Sequence, residues 1–301
     1  MKCLGLVLFL STNFLSVSAQ LYKQSNFENT IHGLTTIIKV EHGDSVTQGT
    51  GFFFHKYKDP PGLDPGLATN QIDSSLTGIW IITNKHVLFG DDYVDNPIMP
   101  DTLYFDIRKR APGRDIPIWV DFKLPKAQIS KRVRQHADPK PDLVAIEITD
   151  LILPRLMQGA DSYIYSAVSA ANYPCNGDSY ANGPRFSIGS TIMTVGYPDA
   201  FYDRYNLYPT IKTGIIASKW RALYNNNNCF LIDCKLFPGS SGSIVISMPT
   251  TYREVDFFHF LGVYSGELGH KRVNKATGET EKRFFDTGKV WYFYLIDEII
   301  K

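Results

Sequence analysis

Short apolar stretches rich in β-branched and aromatic residues recur along this chain, separated by glycine, proline, asparagine and aspartate. Thr35–Val40, Thr47–Phe54, Ile79–Thr83, Thr102–Ile107, Ile116–Phe122 and Leu143–Ile148 read as strands in the first half. Ser187–Val195, Ile211–Ala217, Phe230–Leu236, Ser243–Ser247, Phe257–Tyr264 and Val290–Phe293 read as strands in the second. Gly49 and Gly51 interrupt one of these runs and predict a bulge or a close backbone approach. Asp59–Gly78 is rich in Pro, Gly, Asp and Ser and predicts a long surface loop. Asp150–Pro184 predicts a linker between two halves. Tyr294, Leu295, Ile299 and Ile300 are spaced as on a short amphipathic helix within Tyr292–Lys301. Many short strands with few helical patterns imply an all-β sandwich or barrel.

The N-terminus departs from that pattern. Lys2 is followed by a mostly apolar run, Leu4–Leu15, and by the small residues Ser16-Val17-Ser18-Ala19. This reads as a secretory signal peptide over 1–19, cut after Ala19 and leaving a polar segment over 20–32. The run is short for a membrane span. The expected mature protein is therefore secreted or periplasmic, with no membrane attachment once the signal is removed. A net charge of +1 gives no sign of a nucleic-acid partner. The basic clusters Arg108-Lys109-Arg110 and Lys131-Arg132-Val133-Arg134 lack aromatic interleaving and read as solvated surface. Removing the signal also removes Cys3 and leaves Cys175, Cys229 and Cys234. Cys229 and Cys234 flank a short strand on opposite faces, which argues against a bridge between them. Cys175 with either remains open. No Cys/His cluster suggests a metal.

Candidate chemistry gathers at three strand edges. Phe237-Pro238-Gly239-Ser240-Ser241-Gly242-Ser243 is a tight turn before an apolar run. Such a turn suits an acyl-transfer nucleophile, Ser241, with the Gly239 and Ser241 amides as donors to a developing oxyanion. It is also what an ordinary Gly/Ser turn looks like. His86 ends a buried apolar strand, either as a satisfied core histidine or as an active-site group. Asp142 opens the strand Leu143–Ile148, where a carboxylate needs hydrogen-bond partners. It is either a strand cap or the partner of an imidazole.

Together, Thr83-Asn84-Lys85-His86-Val87, Pro141-Asp142-Leu143-Val144-Ala145-Ile146 and Gly239-Ser240-Ser241-Gly242-Ser243 resemble the trypsin/chymotrypsin-like serine peptidases, and among them the bacterial trypsin-like branch. Gly49-Thr50-Gly51-Phe52, Val195-Gly196-Tyr197-Pro198 and Lys212-Thr213-Gly214-Ile215-Ile216 resemble supporting segments of that branch. The resemblance implies two six-stranded antiparallel β-barrels with a cleft between them. The first barrel falls at about 33–150, the linker at about 150–184 and the second barrel at about 185–295, with a short C-terminal helix. It implies a His86–Asp142–Ser241 triad, an oxyanion hole at Gly239 and Ser241, a protein or peptide substrate, a monomer, and no metal or organic cofactor. Gly262-Val263-Tyr264-Ser265-Gly266 resembles the edge that pairs with substrate backbone. The specificity pocket is implied near Lys235, Leu236, Tyr264, Ser265 and Gly266, with Lys235 favouring an acidic residue before the scissile bond. Ser240 stands where many animal digestive relatives carry Asp, so no activation switch through a new N-terminal amine is expected.

Two other functions compete. A peptidase fold turned binding module would not need three polar groups kept at strand edges. An α/β-hydrolase esterase needs Gly-x-Ser-x-Gly and the order Ser, acid, His, whereas Ser243 occupies the last Gly position and little chain follows.

Overall fold

A computed structural model describes residues 27–58, 75–110, 117–159, 162–174, 186–199, 201–252, 255–273 and 280–301. The expected signal peptide, the segment up to residue 26, most of the predicted Asp59–Gly78 loop, Cys175 and much of the polar half of the predicted linker lie outside the described residues.

The first half is one sheet. It contains β1 (Thr35–His42), β2 (Ser45–Tyr57), β3 (Leu76–Thr83), β4 (Thr102–Lys109), β5 (Ile118–Pro125), β6 (Val133–Gln135), β7 (Val144–Glu147) and β8 (Tyr163–Ile164). Its order is β5-β4-β1-β2-β3-β7-β6, with β8 pairing β4, so two very short strands extend the expected six to eight. The second half contains β9 (Thr191–Gly196), β10 (Thr210–Ile216), β11 (Cys229–Asp233), β12 (Ile244–Ser247), a small hairpin of β13 (Thr250–Tyr252) and β14 (Val255–Phe257), β15 (Phe260–Val273) and β16 (Thr280–Tyr292). Six of these close a barrel, β10-β11-β16-β15-β12-β9, as expected.

Alternation along β2 explains why its sequence is apolar on both faces. Phe53 packs into the first core with Ile81, Leu103, Phe105 and Ile146. Phe52 and Phe54 face the other way, into a seam with Trp80, Val195, Ile244, Val263 and Trp291. A strand buried on both faces reads as a continuous apolar run, as β3 does too. The barrel's own interior holds Ile192, Phe230, Ile232, Val245 and Val290. Cys229 and Cys234 are buried free thiols in different clusters, seam and barrel interior, as their opposite faces require.

Five α-helices frame the strands among the described residues: α1 (27–34), α2 (Lys85–Phe89), α3 (Lys126–Arg132), α4 (Thr149–Gly159) and α5 (Leu295–Ile299). The predicted C-terminal helix appears as α5, which buries Leu295, Ile296 and Ile299 in the seam. Four others differ from the sequence reading. α1 overlaps the polar N-terminal segment, yet its Ile31 and Leu34 are fully buried in the seam. α2 replaces the expected end of the β3 strand, and α3 carries part of a basic cluster. α4 occupies the start of the predicted linker despite Pro154, because Ile152 and Leu156 share a face buried on the first core. Arg108 corrects the solvated reading of its cluster: it is 2% exposed, with its guanidinium 5.7 Å from the Trp119 ring centre and 5.5 Å from that of Tyr208.

Candidate active site

His86 sits in the first turn of α2, immediately after β3, with Asn84 as the extended residue before the helix. Asp142 sits just before β7, which pairs with the end of β3 through Thr83↔Val144. That pairing brings the two together. His86 Nδ1 lies 2.6 Å from Asp142 Oδ2, and the His86 backbone N–H donates to Asp142 Oδ1 at 3.1 Å. A carboxylate accepts only, so Nδ1 carries the proton and Nε2 of the neutral ring keeps its lone pair. Asn84 Nδ2 donates to the Asp142 carbonyl at 2.7 Å, locking the start of α2 to the start of β7.

Asp142 is 3% exposed, and it is satisfied from the other half of the molecule as well. Ser265 Oγ, from β15, donates to Asp142 Oδ2 at 2.7 Å. The sequence placed Ser265 on a substrate-binding edge; the structure directs its hydroxyl onto the carboxylate. The cause is a register shift between Tyr264 and Gly266, which leaves Ser265 as an extra residue in β15. A bulge of this kind re-aims a side chain. Lys85, beside His86, is 3% exposed and donates from Nζ to the Pro139 carbonyl at 3.1 Å. Burial lowers its ammonium pKa from the ordinary value, and Asp142 and Asp138 oppose that shift.

Ser241 lies in the turn between β11 and β12. Gly239 and Gly242 both have φ +86, the left-handed region open to glycine. A Cβ on Gly239 would meet Asp199 N at 2.6 Å, and one on Gly242 would meet the Thr50 carbonyl oxygen at 2.0 Å. The turn's amides divide in two. Ser240 N–H donates to Phe237 O at 3.0 Å, Gly242 N–H to Tyr264 O at 2.9 Å and Ser243 N–H to Ser240 O at 2.9 Å. Gly239 N–H and Ser241 N–H have no partner among the described residues. These are the two amides that the sequence marked as oxyanion donors.

Ser241 approaches the first half through its carbonyl, which accepts from Thr50 N–H at 2.8 Å. A Cβ on Gly49 would lie 2.6 Å from Val87 Cγ1 and 3.3 Å from Ser241 O, so the neighbour of His86 and the Ser241 turn converge on one point. Among the described residues no hydrogen bond joins Ser241 Oγ to the His86 ring.

The remaining sequence-marked residues divide by burial. Leu236 and Tyr264 pack inside the barrel, their side chains spent on the core. Lys235 is exposed; its Nζ lies 3.3 Å from Asp286 Oδ1, and its carbonyl accepts from Lys212 Nζ. Asp286 has φ +54, and its N–H donates to Glu267 Oε1 at 2.7 Å, which ties the Lys235 segment to the edge beyond Gly266. Thr50 and the carboxylate role of Ser265 were missed by the sequence reading, since both act through partners far away in the chain.

A family model for the trypsin-like peptidase domain matches residues 49–250. The chain belongs to that family. It is a serine-type endopeptidase by that membership, and its closed barrel beside a second sheet is consistent with the family's chymotrypsin-like double barrel. Solved structures of low identity are similar to it over most of its length. The serine endoprotease from Yersinia pestis is 15% identical with a TM-score of 0.42, covering 89% of this chain and 62% of its own. The protease Anisep from Arthrobacter nicotinovorans is 14% identical with a TM-score of 0.48, covering 90% of this chain and 94% of its own. An inactivated protease paralogue of the scabies mite is 12% identical with a TM-score of 0.41, covering 91% and 97%. No curated protein sequence matches the chain.

Proposed function

We propose that this protein is an exported endopeptidase that cleaves through His86, Asp142 and Ser241 by way of an acyl-enzyme. The observation that carries the reading is the 2.6 Å His86–Asp142 contact, taken together with two unspent amides at the Ser241 turn. His86 Nε2 takes the proton of Ser241 Oγ as that oxygen attacks the scissile carbonyl. The oxyanion settles on Gly239 N–H and Ser241 N–H. The C–N bond then breaks, and His86 passes the proton to the leaving amine. Water repeats the sequence in reverse, giving its proton to His86 and releasing the acid and Ser241. Asp142 stays ionised throughout, holding the ring's tautomer and stabilising the imidazolium.

Substrate backbone adds along the open edge of β15. Up to Val263 that edge pairs with β12, and Gly242 N–H takes the Tyr264 carbonyl; from Gly266 onward it is free among the described residues. Lys235 contributes to the pocket for the side chain before the scissile bond, competing there with its partner Asp286. The apolar run and small residues at the N-terminus support export.

The test is hydrolysis of an internally quenched peptide library by the wild-type protein and by Ser241→Ala. Internal cleavage that vanishes in the variant, with folding unchanged, is expected. Equal turnover by both would remove Ser241 from the reaction.

A further inference from the structure

Through its backbone and side chain together, Thr50 touches the histidine strand, the Ser241 turn and the segment after β9. It lies on β2, in the first half, and is fully buried. Its N–H donates to Ser241 O at 2.8 Å, and its Oγ1 donates to Gly239 O at 3.0 Å. Its Oγ1 accepts from Tyr197 N–H at 2.8 Å. Its carbonyl accepts from Thr83 Oγ1, three residues before His86, at 2.7 Å.

The direction of the hydroxyl proton follows from these contacts. Tyr197 N–H occupies a lone pair of Oγ1, so the one proton on that oxygen is free for Gly239 O. The geometry of the turn then follows by alternation. In a planar trans peptide the C=O and the next N–H point opposite ways. Thr50 draws the Gly239 and Ser241 carbonyls to one side. The intervening Ser240 carbonyl accepts from Ser243 N–H at 2.9 Å, and the Pro238 carbonyl accepts from Asp199 N–H at 2.7 Å. The Gly239 N–H shares its peptide with the Pro238 carbonyl, held by Asp199, and the Ser241 N–H shares its peptide with the Ser240 carbonyl, held by Ser243, so both amides point away from those anchors. Thr50 holds the peptides that alternate with these, through the Gly239 and Ser241 carbonyls, and so fixes the backbone on both sides of the Ser241 amide.

We propose that Thr50 is a positioning residue for the oxyanion donors: its hydroxyl and amide hold the turn of the second half in its donor-out form and tie that form to the strand that presents His86. This rests on the endopeptidase reading above. Through Thr83, Thr50 and the Gly239 carbonyl, the end of the strand that leads to His86 is hydrogen-bonded to the turn that carries the oxyanion donors. The residue acts on the charge that develops on the carbonyl oxygen, and substrate recognition along β15 does not pass through it.

The experiment compares wild type with Thr50→Val, which keeps the shape and loses the hydroxyl, and Thr50→Ser, which keeps the hydroxyl. Three readouts are taken: kcat and KM on one peptide, the inhibition constant of a matching peptide aldehyde, whose adduct carries the oxyanion, and the rate of fluorophosphonate labelling. Thr50→Val is expected to lose about ten- to a hundredfold in kcat, less than deletion of a whole oxyanion donor, with KM changed less than about twofold. Aldehyde affinity should fall by the same factor as kcat/KM, and Thr50→Ser should recover most of both. Unchanged kcat and aldehyde affinity in folded Thr50→Val, with only the thermal midpoint lowered, would reduce Thr50 to a packing residue. If Thr50→Val does not fold, Thr50→Cys, with a weak S–H donor in the same place, carries the test, and wild-type kcat there refutes the proposal. A wild-type protein that neither turns over peptide nor takes the label would instead defeat the endopeptidase reading, and this inference with it.

Discussion

Gly242→Ala probes the contact on which the turn depends. Two separate costs fall on this position. At φ +86 a residue with a Cβ loses about 1–2 kcal/mol relative to glycine. The new Cβ would also stand 2.0 Å from the Thr50 carbonyl oxygen and 2.5 Å from Thr83 Oγ1. Neither contact is the loose end of a flexible chain, so backbone must move, at about 1–3 kcal/mol by analogy with overpacked cores. The Thr83-to-Thr50 hydrogen bond goes with it, for about 1 kcal/mol more. The sum is about 3–6 kcal/mol, a large share of the stability of an ordinary domain. Gly43 supplies the matched control. It has φ +56 in the β1–β2 turn, and its Cβ would meet nothing within 4 Å, so Gly43→Ala pays only the first cost. Urea denaturation of the two variants gives the difference, and the fluorophosphonate labelling rate of the folded fraction gives the state of the turn. Gly242→Ala should be the less stable by about 2–4 kcal/mol and label far more slowly. Equal stability of the two, or wild-type labelling by Gly242→Ala, would refute the packing argument.

Other consequences follow from titration and charge. His55 is 1% exposed between the Tyr57 and Tyr165 hydroxyls, and burial pushes its ring down from 6.5 to about 4. A depressed histidine favours the neutral form in the fold, so its contribution is complete above pH 6.5 and is lost as pH falls toward 4. That loss is about 3 kcal/mol, and His55→Gln should flatten the acid side of the stability curve in urea titrations, leaving the parts due to His32, which is also lowered to about 4, and to His259, which burial also lowers. A His55→Gln protein with the wild-type acid slope would contradict this. Asp286→Asn should free Lys235 and raise the preference for glutamate over alanine before the scissile bond by roughly fivefold at most, the scale of an exposed ion pair. A profile favouring arginine or lysine at that position in both proteins would remove Lys235 from the pocket.

What could be read in the chain was whatever has a local period or a local composition. The apolar runs of β1–β4, β9, β10 and β12 are visible because alternation and β-branching are properties of neighbours. The segments around His86, Asp142 and Ser241 are visible because each is a polar group at an apolar strand edge. α2 was missed because five residues are too few to display a helical period. α4 was missed because Pro154 argues against a helix, and only burial of Ile152 and Leu156 overrides it. The distal part of β15 is polar and that of β16 holds only the pair Phe284-Phe285 among charged residues, so neither shows an alternating hydropathy that marks a strand. Thr50 and Ser265 were invisible in their roles for a different reason. Their partners lie 189 and 123 residues away, and a hydroxyl in a strand gives no sign of where it will donate.

The proposed roles make Ser241 the nucleophile that His86 and Asp142 serve. Treatment of the folded protein with a fluorophosphonate, followed by mass mapping of the modified peptide, tests those roles in one step. A single adduct on Ser241 is expected, absent in Ser241→Ala and strongly slowed in His86→Ala. An adduct on another residue, or a folded protein that takes no label at all, would overturn the assignment.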